Sequence, residues 1–292
     1  MHPHILYNEK VLAADQKILM AGQLGVLSGW GIFTTLRIYD GVLFEFERHW
    51  QRMARDAGVL RVGLTQNPDT VHASLLELVR KNRAHNAVMR LCVVRSQGGF
   101  WEGPGSGNRS DVVAMTANLK KWQDSVALDV AEHGRYAASP FAGTKTLSWS
   151  HNLTLAEKAV ADGYDEVILL NERGEVSECT SANLFAAKDG ITYTPPLSSG
   201  ALPGITRLVM LEELKLADAP VCEKTLRVDD LFAADEVFIT STTRELIPVH
   251  RIVDRTLRKG GPDAWPVMTR LHSALTRYVR KYVEQAPRQA VA

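Results

Sequence analysis

The sequence predicts a two-domain α/β fold of the α+β type, built largely from antiparallel hairpins. Three observations lead there. The chain has 292 residues, 45% of them hydrophobic, which fills two ordinary cores rather than one oversized one. Short runs rich in β-branched and aromatic residues recur, and Asp40-Gly41 and Asp189-Gly190 turn two of them back on themselves. A polar stretch, Asn118 to Asp124, separates two strand-like runs and reads as a linker. The expected division is a small N-terminal α/β domain over 1–117, a linker over 118–124 and a larger C-terminal domain over 125–292.

Taken in order, Gly31 to Tyr39 is a strand, and Asp40-Gly41 turns it into a second strand over Val42 to Phe46. Glu47 to Leu60 and Pro68 to Ala84 are helices, the second with Val71, Leu75, Leu78 and Val79 on one face and Asp69 near its start. Val88 to Val94 and Val112 to Ala117 return to strand. Between them Gln97 to Gly107 is a glycine-rich loop, of the kind that closes over a site or is merely mobile. The second half predicts a strand over Val126 to Glu132 and a helix from Leu153 to Asp162. Asp165 to Asn171 is a buried strand, and Val176 to Ala187 is its hairpin partner. Ile191 to Thr194 pairs back, a helix runs from Ile205 to Lys215, and short strands follow near Glu223 and over Glu236 to Ser241. The last helix carries Val267, Leu271, Leu275, Tyr278, Val279 and Tyr282 on one face.

Composition excludes several classes of function. Lys and Arg total 34 against 33 acidic residues, so no global field attracts nucleic acid. No apolar run reaches the ~18 residues of a membrane span, and the N-terminus lacks the basic and apolar regions of a signal peptide. A cytoplasmic location is expected. The three cysteines, Cys92, Cys179 and Cys222, are widely spaced without a CxxC pair, which points to reduced thiols and to no metal site. No glycine fingerprint for a dinucleotide follows the first strand.

Four segments could carry chemistry. Lys145 sits among small and apolar neighbours between a strand and a helix, where desolvation can activate an amine; a surface lysine reads the same way. Glu178 lies inside a strand, where a charge must be paired or face solvent. Gly204-Ile205-Thr206 opens a helix whose first N–H groups attract a phosphate, or is a plain helix start. Thr240-Ser241-Thr242-Thr243 sets four hydroxyls at a strand end, suited to the same anion or to an ordinary turn.

In order and spacing, these segments resemble the fold-type IV pyridoxal 5'-phosphate (PLP) enzymes, aminotransferase class IV. This family includes branched-chain aminotransferases, D-amino acid aminotransferases and aminodeoxychorismate lyases. The resemblance spans nearly the whole chain, from Gly29-Trp30-Gly31-Ile32-Phe33-Thr34-Thr35 and the His49-Trp50-Gln51-Arg52 helix, through Lys145, Ser177-Glu178-Cys179-Thr180 and Leu202-Pro203-Gly204-Ile205-Thr206-Arg207, to Thr240-Ser241-Thr242-Thr243. It implies a larger domain with an antiparallel, barrel-like sheet, PLP as cofactor, and a homodimer in which a partner loop borders each site. Lys145 is then the imine-forming lysine and proton shuttle, and Glu178 the acid on the ring nitrogen. Arg52, rather than Arg48, is then the phosphate arginine, with Ile205, Thr206 and Thr242 completing the cradle.

Phe33, Arg90, Arg95 and Thr243 fall on the substrate side of the pattern. Arg90 corresponds to the carboxylate-binding arginine of branched-chain enzymes and Arg95 to that of D-amino acid enzymes. Five apart on a strand, they point to opposite faces, so only one serves a given pocket. Phe33 stands where the family pattern has a tyrosine whose hydroxyl some members use, Leu147-Ser148 where a Leu-Asn pair is frequent, and Trp149 where branched-chain enzymes carry tyrosine. Arg244 binds a second carboxylate or points to solvent, with solvent the expectation. Phe33-Thr34-Thr35, Arg95 to Gly99 and Glu178-Cys179 resemble the lyases, whereas Gly204 to Arg207 and Thr240 to Thr243 resemble the transaminases. The expectation is a transaminase acting on a branched-chain-like or D-amino acid and a 2-keto acid. The alternative is a lyase producing 4-aminobenzoate and pyruvate.

Overall fold

The computed structural model describes residues 1–20, 22–96, 109–258 and 262–287. The chain forms two compact units. The first takes Met1–Lys120, Thr144–Trp149 and Val279–Ala292, and the second Lys121–Gly143 and Ser150–Tyr278. The segment holding Lys145, expected in the C-terminal domain, therefore groups with the first unit. The glycine-rich loop expected over Gln97 to Gly107 lies outside the described residues. Among the described residues no helix is long and apolar enough to cross a membrane.

The first unit contains β1 (His4–Tyr7), β2 (Lys10–Ala13), α1 (Leu24–Leu27), β3 (Gly31–Tyr39), β4 (Val42–Leu43), α2 (Phe46–Leu60), α3 (Pro68–Lys81), β5 (Ala87–Arg95) and β6 (Ser110–Ala117). Its sheet has the order β2-β1-β6-β5-β3-β4, antiparallel throughout. Asp40 (φ 47°) and Gly41 (φ 84°) supply the left-handed pair that a tight hairpin needs. The returning strand ends at Leu43 rather than Phe46, because Glu45 (φ 54°) turns the chain into α2. At the start of α3, Pro68 takes the first turn and the Asn67 side chain accepts from the Asp69 and Thr70 amides. This helix stops at Lys81, short of Ala84, since Arg83 takes a positive φ of 51°. The neighbouring Asn82 side chain turns instead to β1 and β6, donating to the His4 carbonyl and the Thr116 hydroxyl.

Alternation along β3 sorts this unit into two layers. Ile32 and Leu36 face α2 and α3, where Met53, Leu75 and Leu78 close a dry core. Each such side chain contributes about 1.5–3 kcal/mol. Phe33 lies on the other face with Cys92 and Val94, packed by Leu147 and Trp149.

The second unit contains β7 (Val126–Ala131), α4 (Ser150–Ala161), β8 (Glu166–Leu170), β9 (Val176–Cys179), β10 (Asn183–Lys188), β11 (Ile191–Thr194), α5 (Ile205–Glu212), β12 (Val221–Glu223), α6 (Val228–Ala233), β13 (Glu236–Ser241), β14 (Glu245–Ile252) and β15 (Arg255–Thr256). The last helix, α7 (Pro266–Gln285), belongs to this unit through Tyr278. The sheet order is β12-β11-β10-β13-β14-β7-β8-β9, with β15 on β14. Three pairs, β11–β12, β14–β7 and β7–β8, are parallel. The antiparallel expectation is corrected there, because the chain between β7 and β8 includes α4 and that between β11 and β12 includes α5, the crossovers parallel neighbours require.

The single strand expected over Val176 to Ala187 is two strands. Thr180 and Ser181 leave the ladder to donate their hydroxyls to the Glu166 carboxylate, and the Cys179 amide bonds the Ala182 carbonyl at 2.7 Å. Only Thr180 to Ala182 separate β9 from β10, yet β13, β14, β7 and β8 lie between them in the sheet. The sheet therefore curls back on itself, as a barrel-like sheet must.

Candidate active site

In the first unit, Lys145 is held by its backbone. Its amide donates to the Asp56 carboxylate at 3.0 Å, and its carbonyl accepts from the Phe33 amide at 3.0 Å. Leu147 N–H then bonds the Gly31 carbonyl at 2.9 Å, so residues 145–147 run along β3 as a short added strand. Gly31 permits the approach: a Cβ there would lie 2.6 Å from both Leu147 Cδ1 and the Val93 carbonyl oxygen. With its main chain fixed at both ends, the lysine side chain lies over the Phe33 ring, Nζ 4.7 Å from the centroid. Trp149 meets that ring edge-on at 5.8 Å.

The two candidate arginines of β5 part company as the alternation requires. Arg90 is exposed and sets its guanidinium 4.6 Å from the same Phe33 ring. Arg95 is 3% exposed, stacks 4.0 Å from the Trp30 ring and donates to the Arg61 carbonyl. The Lys145 amine therefore shares its aromatic platform with Arg90 and not with Arg95.

On the helix-covered face, Thr34 accepts from Arg52 Nη2 at 2.7 Å and meets His49 Nδ1 at 2.6 Å. Burial, with the Arg52 and Lys145 charges adding to it, holds the His49 ring well below the usual histidine range. Arg48, the rejected alternative to Arg52, pairs with Glu45 at 2.9 Å. His49 and Asp56 were not among the sequence candidates, though a signal existed. His49, Arg52 and Asp56 recur at helical spacing on the buried face of α2, where three polar residues in an apolar stripe call for partners.

In the second unit, Glu178 is 6% exposed. One carboxylate oxygen accepts from Arg135 Nη2 at 2.7 Å, the other from the Leu202 amide at 3.1 Å and from Asn183 Nδ2 at 3.4 Å. A paired, hydrogen-bonded carboxylate is the form in which a strand interior tolerates this charge. Neither Arg135 nor Asn183 stood out in the sequence, because both reach Glu178 through the fold of other segments.

Ile205 and Thr206 open α5 and are both buried. The residue before them, Gly204, provides no side-chain cap, so the first amides of the helix keep their donors for an anion. A Cβ at Gly204 would sit 2.0 Å from Asn183 Oδ1, so a larger residue there would have to displace the Asn183 side chain, which donates to the Leu202 carbonyl. Arg207 ties the same turn down, donating to the Pro195 carbonyl at 2.8 Å and pairing with Glu223.

Thr242 and Thr243 form the turn between β13 and β14, whereas Thr240 and Ser241 remain inside the strand. Arg244 corrects its expectation of solvent exposure. Its guanidinium is 8% exposed, pairs with Glu166 at 3.0 Å, bonds Ser181 and lies 4.2 Å from the Trp122 ring. A buried carboxylate on β8 claims it.

All three cysteines are free thiols. Burial pushes Cys92 up to about 11 and Cys179 well above the usual thiol range.

Comparison with known proteins places this arrangement. The family profile described as "Amino-transferase class IV" matches residues 31–252. The chain belongs to the aminotransferase class IV family. It is similar to a D-alanine aminotransferase of Bacillus licheniformis, 30% identical over 275 residues, covering 93% of this chain and 95% of the relative. A branched-chain-amino-acid aminotransferase of Salmonella typhimurium is 32% identical over 258 residues, covering 84% and 83%. Among solved structures, the PLP-bound form of a hypothetical aminotransferase from Mycobacterium tuberculosis superposes at a TM-score of 0.81. It is 25% identical and covers 93% of this chain and 98% of that one.

This class IV enzyme is thus a fold-type IV, PLP-dependent aminotransferase. Each unit carries residues that fit the cofactor: in the first an amine on a fixed backbone, and in the second a carboxylate paired with Arg135 and an uncapped helix start after Gly204.

Proposed function

We propose that this aminotransferase works by two half-reactions in which Lys145 Nζ both attaches the cofactor and carries the substrate's α-proton. The observation that supports this reading most is the clamp on the Lys145 main chain by Asp56 and Phe33, which leaves the amine over the Phe33 ring beside Arg90. When bound, PLP supplies a sink for the electron pair released as that proton leaves. Lys145 takes the proton from one position and returns it to another, the work of a positioned general base and acid. Glu178, paired with Arg135, would hold the proton on the ring nitrogen. Arg52, the Ile205 and Thr206 amides and Thr242 bind the phosphate. Arg90 grips the substrate carboxylate, with Phe33 and Thr243 bordering it. Arg95, committed to Trp30 and Arg61, supports the sheet instead.

Branched-chain-like and D-amino acids are the proposed donors, since relatives of both kinds match over most of the chain. The test is a panel of L- and D-amino acids, each mixed with PLP-loaded protein and no keto acid. One donor class should convert the bound cofactor to its amine form and stop after one equivalent of keto acid. Repeated release of pyruvate from aminodeoxychorismate, with no such conversion by any amino acid, would favour the lyase reading.

We also propose a cytoplasmic homodimer. Leu153 and Val160, one face of α4, are 55% and 67% exposed, an apolar surface that a second copy would cover. Light scattering should give twice the monomer mass, and a monomer at micromolar concentration would refute it.

A further inference from the structure

The buried histidine of α2 has no task in the reaction as written. His49 is 1% exposed, Thr34 is 0% exposed and Arg52 is 8% exposed, and the three are joined through one oxygen. Thr34 Oγ1 lies 2.7 Å from Arg52 Nη2 and 2.6 Å from His49 Nδ1. A guanidinium can only donate, so the hydroxyl oxygen accepts from Arg52 and its own proton is left to give. In the Nε2–H tautomer of the neutral ring, Nδ1 accepts that proton. In the other neutral tautomer Nδ1–H donates to Thr34, whose oxygen then accepts from both neighbours. In either tautomer the Thr34 oxygen ties Arg52 to the His49 ring. His49 Nε2 has no protein partner among the described residues.

A neutral ring suits this place. A cationic imidazolium would offer no acceptor to Thr34 and would add a third positive charge near Arg52 and Lys145. Phenylalanine would fill the space but remove the ring nitrogen that orients the Thr34 hydroxyl.

We propose that Thr34 and His49 are positioning residues for Arg52: the hydroxyl, oriented by the histidine ring, fixes the guanidinium in the orientation that grips the cofactor phosphate. The inference rests on the assignment of Arg52 to the phosphate. Position 34 thereby gains a role that its place on a buried strand face did not indicate. It also restricts what can stand there, since the group must accept from an arginine and bond a ring nitrogen at once.

Pyridoxal, which lacks the phosphate, separates this role from general packing. Full-length protein freed of cofactor is titrated with PLP and with pyridoxal, each followed by the visible absorbance of the bound form. Thr34→Val, nearly isosteric, and His49→Phe should each lower PLP affinity about tenfold, the worth of one charge-assisted hydrogen bond, while pyridoxal affinity stays unchanged. Thr34→Ser, which keeps the hydroxyl, should match the native protein. Parallel weakening of both ligands, or no change in either for Thr34→Val, overturns the proposal. Arg52→Gln shows which step failed. If it cuts PLP affinity and spares pyridoxal while Thr34→Val does neither, the positioning role alone is wrong. If Arg52→Gln leaves the ratio of the two affinities unchanged, the phosphate assignment falls and the proposal with it.

Discussion

Lys145→Ala lowers the rate of the amino-transfer half-reaction by about 10⁴-fold or more, and the visible absorbance of the lysine-bound cofactor disappears. The size follows from losing the covalent attachment and the positioned base together, since a general acid or base alone supplies about 10²–10⁴. The fold should be nearly untouched. Asp56 and Phe33 bond the main chain of residue 145, which alanine retains; the contacts of Nζ with the Phe33 and Trp149 rings are lost, each costing about 1 kcal/mol or less. A thermal melt that matches the native protein, beside a silent half-reaction, is the expected pair of results. Retained activity would mean that another amine serves.

Glu178→Gln is expected to slow the same half-reaction by about 10²–10³, the loss typical of removing one preorganised electrostatic partner. The cofactor should still attach, because Lys145 is intact, so the visible band remains while turnover falls. A structural cost accompanies it. Arg135 loses its anionic partner at 2.7 Å but can still donate to the glutamine oxygen, while the new NH2 group faces the Leu202 and Asn183 donors and cannot accept from them, so the destabilisation should be about 1–3 kcal/mol. Stopped-flow absorbance and a denaturant titration read the two effects separately. A rate unchanged in Glu178→Gln would remove the acid from the ring nitrogen and leave it as a structural ion pair.

Local chemistry was legible in the sequence wherever it was decided within a few residues. Asp40-Gly41 specified its hairpin and Pro68, with Asp69 beside it, its helix start, since each needs only local side chains. The break between β9 and β10 was not legible: Thr180 and Ser181 read as strand residues until Glu166, far back in the chain, draws their hydroxyls away. Arg244 read as a surface residue for the same reason, its partner being that same buried carboxylate.

The site divides along similar lines. Lys145, Glu178 and the Gly204-Ile205-Thr206 start lie in contiguous motifs and could be named, but the partners that hold them could not. Asp56 reaches the Lys145 amide from 89 positions away and Arg135 reaches Glu178 from 43, distances that no local pattern encodes. Arg90 and Arg95 show what periodicity can do alone. Five apart on a strand, they had to face opposite ways; the contacts with Phe33 and Trp30 then decided which shares the lysine's platform.

The most direct measurement is to reduce the PLP-loaded protein with borohydride, digest it and map the cofactor by mass spectrometry. The pyridoxyl group is predicted on the peptide containing Lys145 and on no other lysine, with the label absent from Lys145→Ala. A label on a different lysine, or none on the native protein, would contradict the account.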